Sequence, residues 1–318
     1  MPISTPQIIA IINRVDWVAS GESIYFLLDK LTKQQKMNVY HNTLLVAVLL
    51  IMIGCDSPKG TEKIAVETPS IAAQWQEVER IDLDTIAPIG LTYFKENLWI
   101  ADGDNNQLVK LTKAGTIEVV LQDLERPMHL DSDADYIYIP EYGKDVISRF
   151  DGNQKTEESM EQLDAPASIS VQGTTRAVAD FYHHQIWYNE GENWVAFGEK
   201  GKENGQFHYP TDVQLMGDKI YVADAYNHRV QVLDKQGKWL QTIGEAEKMN
   251  ATTGIYVNEK ELFATDFENN RVLVYDLEGN LQQTITEQLE KPTDVLQVDQ
   301  RIYVINYGSK ELVIYEYQ

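Results

Sequence analysis

The chain has 318 residues, 43% of them hydrophobic and 24% charged, a globular composition with room for one large core or two modest ones. Against 27 Lys and Arg stand 49 Asp and Glu, and a net charge of -22 repels a nucleic-acid backbone unless a local basic patch overrides it. The one cysteine, Cys55, excludes an intramolecular disulfide and a thiolate zinc cluster.

The first element in chain order is the apolar run 44–53, Leu44-Leu45-Val46-Ala47-Val48-Leu49-Leu50-Ile51-Met52-Ile53, which stops at Gly54-Cys55-Asp56. A bilayer core about 30 Å thick needs about 20 residues, so the run is too short to span it. Its length suits the core of a secretory signal, and Met52-Ile53-Gly54-Cys55 resembles the bacterial lipobox, which implies lipidation of Cys55. Residues 1–54 are then a signal region, with the start at Met1 or at Met37. Removing them takes four basic and three acidic residues, leaving 23 minus 46, or -23. Residues 55–72, rich in Ser, Pro, Gly, Lys, Thr and Glu, read as a tether with little to bury.

From there to the end the chain repeats itself. Aligned starts fall at Pro88, Pro127, Pro166, Pro210, Thr252 and Pro292, with spacings of 39, 39, 44, 42 and 40 residues. Each unit holds a β-branched and aromatic run, a polar turn, a second run, an Asp/Gly turn and a third, the pattern of an antiparallel meander. Strands such as Val230-Gln231-Val232-Leu233 and Val272-Leu273-Val274-Tyr275 are apolar on both faces, as in a sheet wedged between two others. The lead-in Phe207-His208-Tyr209-Pro210, the strand end Val222-Ala223-Asp224 and the turn Asn227-His228-Arg229-Val230 resemble the NHL repeat, whose copies form four-stranded propeller blades. The resemblance implies an all-β, six-bladed β-propeller over 73–318. The last repeat has only three strands, and Trp75-Gln76-Glu77-Val78-Glu79-Arg80-Ile81 is expected to supply the fourth, closing the ring and removing the free edge.

Three registers place side chains around such a ring. Two residues after each start come Gly90, His129, Ser168, Asp212, Gly254 and Asp294; the carboxylates and imidazole could hold calcium or zinc, or could bind backbone and water in a wet channel. The second strand ends at Asp102, Glu141, Asp180, Asp224, Asp266 and Asn306, read as acceptors for the amides just after them, with Arg229 and Arg271 placed to pair in two blades. One residue on are Gly103, Tyr142, Phe181, Ala225, Phe267 and Tyr307, joined by Tyr182, His183, His184 and Tyr226, on the face expected to carry Arg126, His208 and Lys291. Tyr142, Phe181, Tyr182, His183, His208, Tyr226, Phe267 and Tyr307 are therefore candidate ligand contacts; packing between blades is the competing reading.

Relatives that the resemblance brings in include enzymes. The amidating lyase uses channel histidines for zinc, whereas here only His129 lies in the inner register; lactonase-like propellers use a carboxylate-rich channel with a metal, which Asp212 and Asp294 leave open. No Ser-His-Asp arrangement or nucleotide loop is readable. The expectation is a monomeric lipoprotein of the bacterial envelope, facing outward from the cytoplasm and binding a protein, peptide or glycan, with a metal-dependent hydrolase or lyase as the alternative.

Overall fold

The computed structural model describes residues 73–158, 160, 162–191 and 193–318. Cys55, the apolar run and the 55–72 tether lie outside the described residues. Among the described residues no helix is long and apolar enough to cross a membrane.

Among the described residues, twenty-four strands form six four-stranded antiparallel sheets. Blades 1 to 5 are consecutive meanders over 88–121, 131–158, 166–197, 210–243 and 252–285. Blade 6 takes its three inner strands from 292–317 and its outermost from β1 (Trp75–Asp82), which pairs antiparallel with the last strand, β24 (Glu311–Tyr317). The expected closure is therefore present. It is sealed by Gln74 and Gln318 exchanging backbone bonds at 2.7 and 2.9 Å, by Gln283 bonding both backbone groups of Trp75, and by Arg80 paired to Glu311 at 2.7 Å. Trp75 packs edge-on against Phe263 and Tyr317.

Strands buried on both faces follow from this architecture, because every blade is sandwiched between neighbours. Each of the six apolar clusters spans one seam between adjacent blades. Val230 through Leu233 and Val272 through Tyr275 are all buried. Each aliphatic side chain taken fully out of water there contributes about 1.5–3 kcal/mol before entropy is counted.

Blade 2 departs from the repeat: its inner strand β6 (Asp131–Ser132) is two residues long, against six or seven in the others. Pro140 lies in the facing strand, and its carbonyl accepts the Met128 N–H at 3.0 Å. The nitrogen of a strand residue points the same way as its carbonyl, and proline has no hydrogen to give, so one rung of the inner ladder is missing there.

The acidic strand-end register is structural, but its donors are not the amides that follow it. Each of the six side chains reaches back 15 or 16 residues to a lead-in amide: Ala87 N–H to Asp102 at 2.9 Å, Glu125 to Glu141 at 2.9 Å, Asp164 to Asp180 at 3.2 Å, His208 to Asp224 at 2.7 Å, Asn250 to Asp266 at 2.6 Å and Glu290 to Asn306 at 2.6 Å. All six are fully buried, so their other acceptor positions need partners as well. Arg229 and Arg271 supply them in blades 4 and 5, Gln107 in blade 1, Lys155 in blade 2, and His183 with Trp187 in blade 3.

A second set of bonds ties each blade to the next. The turn residues Asn106, Asp145, His184, His228 and Asn270 sit in the left-handed region, φ 54 to 59°. The lead-in residues Arg126, Ala165, Tyr209, Ala251 and Lys291 do so at φ 55 to 60°. Each turn side chain accepts the N–H of the corresponding lead-in residue at 2.8–3.0 Å. At the sixth seam the bond is backbone to backbone, Leu83 N–H to the Lys310 carbonyl at 2.9 Å. These bonds offset the roughly 1 kcal/mol or more that a non-glycine residue costs at positive φ. Because a backbone N–H can only donate, Nδ1 of His184 and of His228 is the acceptor in these bonds.

Candidate functional site

The lead-in loops and the turns after each second strand meet at one end of the ring, joined by bonds such as Tyr142 N–H to the Arg126 carbonyl and Tyr226 N–H to the His208 carbonyl, both 3.1 Å. This face carries the aromatic candidates, but not as one rim. Tyr142 from blade 2, Phe181 and Tyr182 from blade 3, and Tyr226 with His208 from blade 4 form a continuous arc. Phe267 and Tyr307 form a separate pair 6.4 Å apart, with the Lys291 ammonium over Phe267 and the Tyr307 hydroxyl donating to Asp104. The register holds no ring at Gly103 of blade 1, and at Ala225 of blade 4 the neighbouring Tyr226 supplies one instead.

The centre of the arc is Tyr209, absent from the sequence-derived candidates. Its ring lies 4.7 Å from Phe181, 6.1 Å from Tyr182, 4.8 Å from His208 and 5.0 Å from Tyr226. The only signal for it in the sequence is its place just before the repeat proline, where the other blades carry Ala87, Arg126, Ala165, Ala251 and Lys291. His184, which the repeat-three turn places on the same face, lies 4.5 Å from Tyr209. Contacts such as Tyr142–Phe181 at 5.6 Å cross from one blade to the next, so packing and display coexist. The inner rings seal the seams, while Tyr182 and Tyr226 remain 49% and 55% exposed.

Cations flank the arc in an otherwise acidic chain: the Arg126 guanidinium lies 5.6 Å from the Tyr142 ring and the Lys200 ammonium 6.0 Å from Tyr209. His183 binds the buried Asp180 carboxylate at 2.9 Å, and that bond raises its pKa above the usual imidazole value. Burial, together with the Tyr182 hydroxyl, pushes the Tyr142 hydroxyl above its ordinary range.

The inner register converges on the axis. His129, Asp212 and Asp294 are buried, with one potential ligand atom of each within 4.8 Å of the others, a group that could hold a metal ion. His129 is 3% exposed, and its Nδ1, 3.4 Å from Asp294 Oδ2, has no hydrogen-bond partner among the described residues. Both carboxylates also link blades: Asp212 accepts the amides of Val213 and, from blade 5, Ile255, while Asp294 accepts those of Val295 and, from blade 1, Leu91. The Ser168 hydroxyl bonds Asp212. Burial pushes the Asp212 carboxyl up to about 7, against the pull of His129 and with the help of the Asp294 charge. Burial lowers His129, but the facing carboxylates outweigh it and the net direction is upward. Two residues along the chain from His129, burial pushes the Asp131 carboxyl up to about 7 against the amides of Val171 and Ser132.

These groups line a cavity of about 40 Å³ together with Thr92, Gln214, Tyr256 and Leu296. That volume holds an ion or a few waters.

Residues 200–315 match a family model described as 6-bladed beta-propeller. A stretch of 98 residues is 34% identical to the RING finger protein nhl-1 of Caenorhabditis elegans, covering 30% of this chain and only 9% of that protein. Among solved structures, a gluconolactonase from Xanthomonas campestris is similar over 77% of this chain and all of its own, with TM-score 0.61 at 13% identity. An auxiliary nutrient binding protein from Bacteroides thetaiotaomicron is similar over 77% of this chain and 73% of its own, with TM-score 0.60 at 9% identity. Such identities speak to fold alone, and one neighbour is an enzyme while the other is a binding protein. The chain folds as a six-bladed β-propeller, and part of it is similar to an NHL-repeat protein.

Proposed function

We propose that the protein is a binding module, anchored to a membrane through a lipid on Cys55 and facing the extracytoplasmic side of a bacterial envelope, and that it takes a protein, peptide or glycan ligand on the aromatic arc. The observation that carries this reading is the continuous surface from Tyr142 through Phe181, Tyr182 and Tyr209 to Tyr226, with two rings half exposed and cations at its flanks. Flat, amphipathic rings suit sugar faces and peptide side chains, and each well-stacked ring is worth about 0.5–1.5 kcal/mol beyond its buried area. A hydrolase or lyase acting in the channel is less well supported, since a cavity of about 40 Å³ is far below the roughly 300 Å³ that a small-molecule site requires.

The test is a binding screen of oligosaccharides and peptides by calorimetry, repeated on Tyr182→Ala/Tyr226→Ala. The double variant should bind any hit at least tenfold more weakly; a hit bound equally well by it refutes the arc as the site. Labelling of cells with a clickable palmitate analogue tests the anchor. Label should enter the protein and be lost in Cys55→Ser.

A further inference from the structure

The six inner-register residues are not a random mixture once the ring is closed. His129 comes from blade 2, Asp212 from blade 4 and Asp294 from blade 6, so the three ligand-bearing side chains alternate with Gly90, Ser168 and Gly254 from blades 1, 3 and 5. The glycines are required by close approach. A Cβ on Gly90 would lie 2.6 Å from the His129 Cα and from the Met128 carbonyl oxygen, and one on Gly254 would lie 2.4 Å from the Thr293 carbonyl oxygen and 2.8 Å from the Asp294 Cα. Bare backbone in blades 1 and 5 lets the longer side chains reach the axis.

We propose that His129, Asp212 and Asp294 form a zinc-class transition-metal site on the propeller axis, a trigonal clasp that joins alternate blades and stabilises the ring. Two buried carboxylates need positive charge nearby, and a divalent cation neutralises both. The imidazole supplies an unpartnered nitrogen aimed at them. Ligand atoms around a tetrahedral zinc, at about 2.0–2.1 Å from the metal, stand roughly 3.3 Å apart; the 3.4 Å between His129 Nδ1 and Asp294 Oδ2 already meets that spacing. The third ligand closes in by less than the width of an atom, and the cavity leaves the fourth position to water.

The same donor set disfavours calcium, which takes six to eight oxygens. Every oxygen of Asp212 and Asp294 already accepts a backbone amide, and Asp212 Oδ1 the Ser168 hydroxyl as well, so the two carboxylates cannot supply the many oxygens calcium needs, and imidazole is a ligand of zinc-like metals. The amides act as the outer shell that holds the carboxylates in place. The site would pin blade 2, whose inner strand is shortened by Pro140, to blades 4 and 6.

The test uses the purified full-length chain, stripped with EDTA and reloaded with zinc or calcium, then desalted for elemental mass spectrometry and thermal melting. Close to one zinc per chain is expected, with Tm raised by roughly 5 °C or more at metal well above Kd, no shift from calcium, and visible bands of four-coordinate cobalt on substitution. His129→Gln and Asp294→Asn, which retain side-chain volume, should each bind at least tenfold less zinc and lose the shift, while His183→Ala/His208→Ala should keep both. Wild-type protein that binds no zinc, zinc retained in His129→Gln, or a shift specific to calcium overturns the proposal. Because the stripped and reloaded wild type is read directly, a variant that fails to fold does not rescue it.

Discussion

The seam between blades 4 and 5 and the seam between blades 2 and 3 are built on the same register with opposite chemistry. At the first, Leu262 and Val232 are buried in a cluster of twelve buried apolar residues. At the second the equivalent positions are Arg176 and Arg149, and the cluster holds five. Position 176 is aliphatic in every other blade, as Leu98, Ile137, Ile220, Leu262 and Ile302. The two arginines share Glu158, at 2.8 and 2.9 Å, and lie over Tyr138 and Tyr136. A repeat thus tolerates loss of its apolar seam when two charges arrive together with a common counter-charge, and the same two blades contribute Tyr142, Phe181 and Tyr182 to the aromatic arc.

Closure makes both seams depend on one another, so deleting residues 73–83 should have the largest effect. Calorimetry should show the whole domain melting earlier in one cooperative step; loss of blade 6 alone, with the rest melting as before, would show independent seams. Next comes Leu262→Ala, which should cost about 3 kcal/mol and lower Tm by roughly 6–12 °C, with little dependence on salt. Arg176→Ala should cost about 1 kcal/mol, because a partly exposed pair is screened, and the loss should shrink in 1 M salt. Equal, salt-independent losses at the two sites would erase the distinction. The smallest effect at neutral pH belongs to His184→Asn, which keeps an acceptor of the kind that Asn106 and Asn270 provide. Burial, and then the Lys200 charge, lower the His184 pKa below its unfolded value of about 6.5. The unfolded chain therefore binds the proton first: stability is full above about pH 6.5 and falls as pH drops toward the folded value. Urea melts at pH 8 and pH 5 should show a smaller acid loss in His184→Asn than in wild type.

Much of this was legible residue by residue. The repeat register, proline at five starts and Thr252 at the other, located every blade, and Trp75 through Ile81 declared itself as the missing strand because the last repeat was one short. The strand-end acids were read as structural, yet with the wrong donors, since their partners are lead-in amides 15 or 16 residues upstream and not the amides of the following turn. Tyr209 escaped notice as a ligand contact because it owes its place to a left-handed backbone and a neighbouring blade, neither of which leaves a mark on residue type, and His184, though read on this face, gave no sign of its bond to the Tyr209 amide.

By itself the sequence determined the repeat, the strand faces and the closure, because alternation and periodicity are local and a blade buried on both sides must be apolar on both. It also listed the members of the inner register. Only the tertiary structure decided that His129, Asp212 and Asp294 meet while Phe267 and Tyr307 stand apart from the other aromatics. Convergence of side chains about 80 residues apart depends on how closely backbones approach around a closed ring, and that distance is set by the packing of all six seams together.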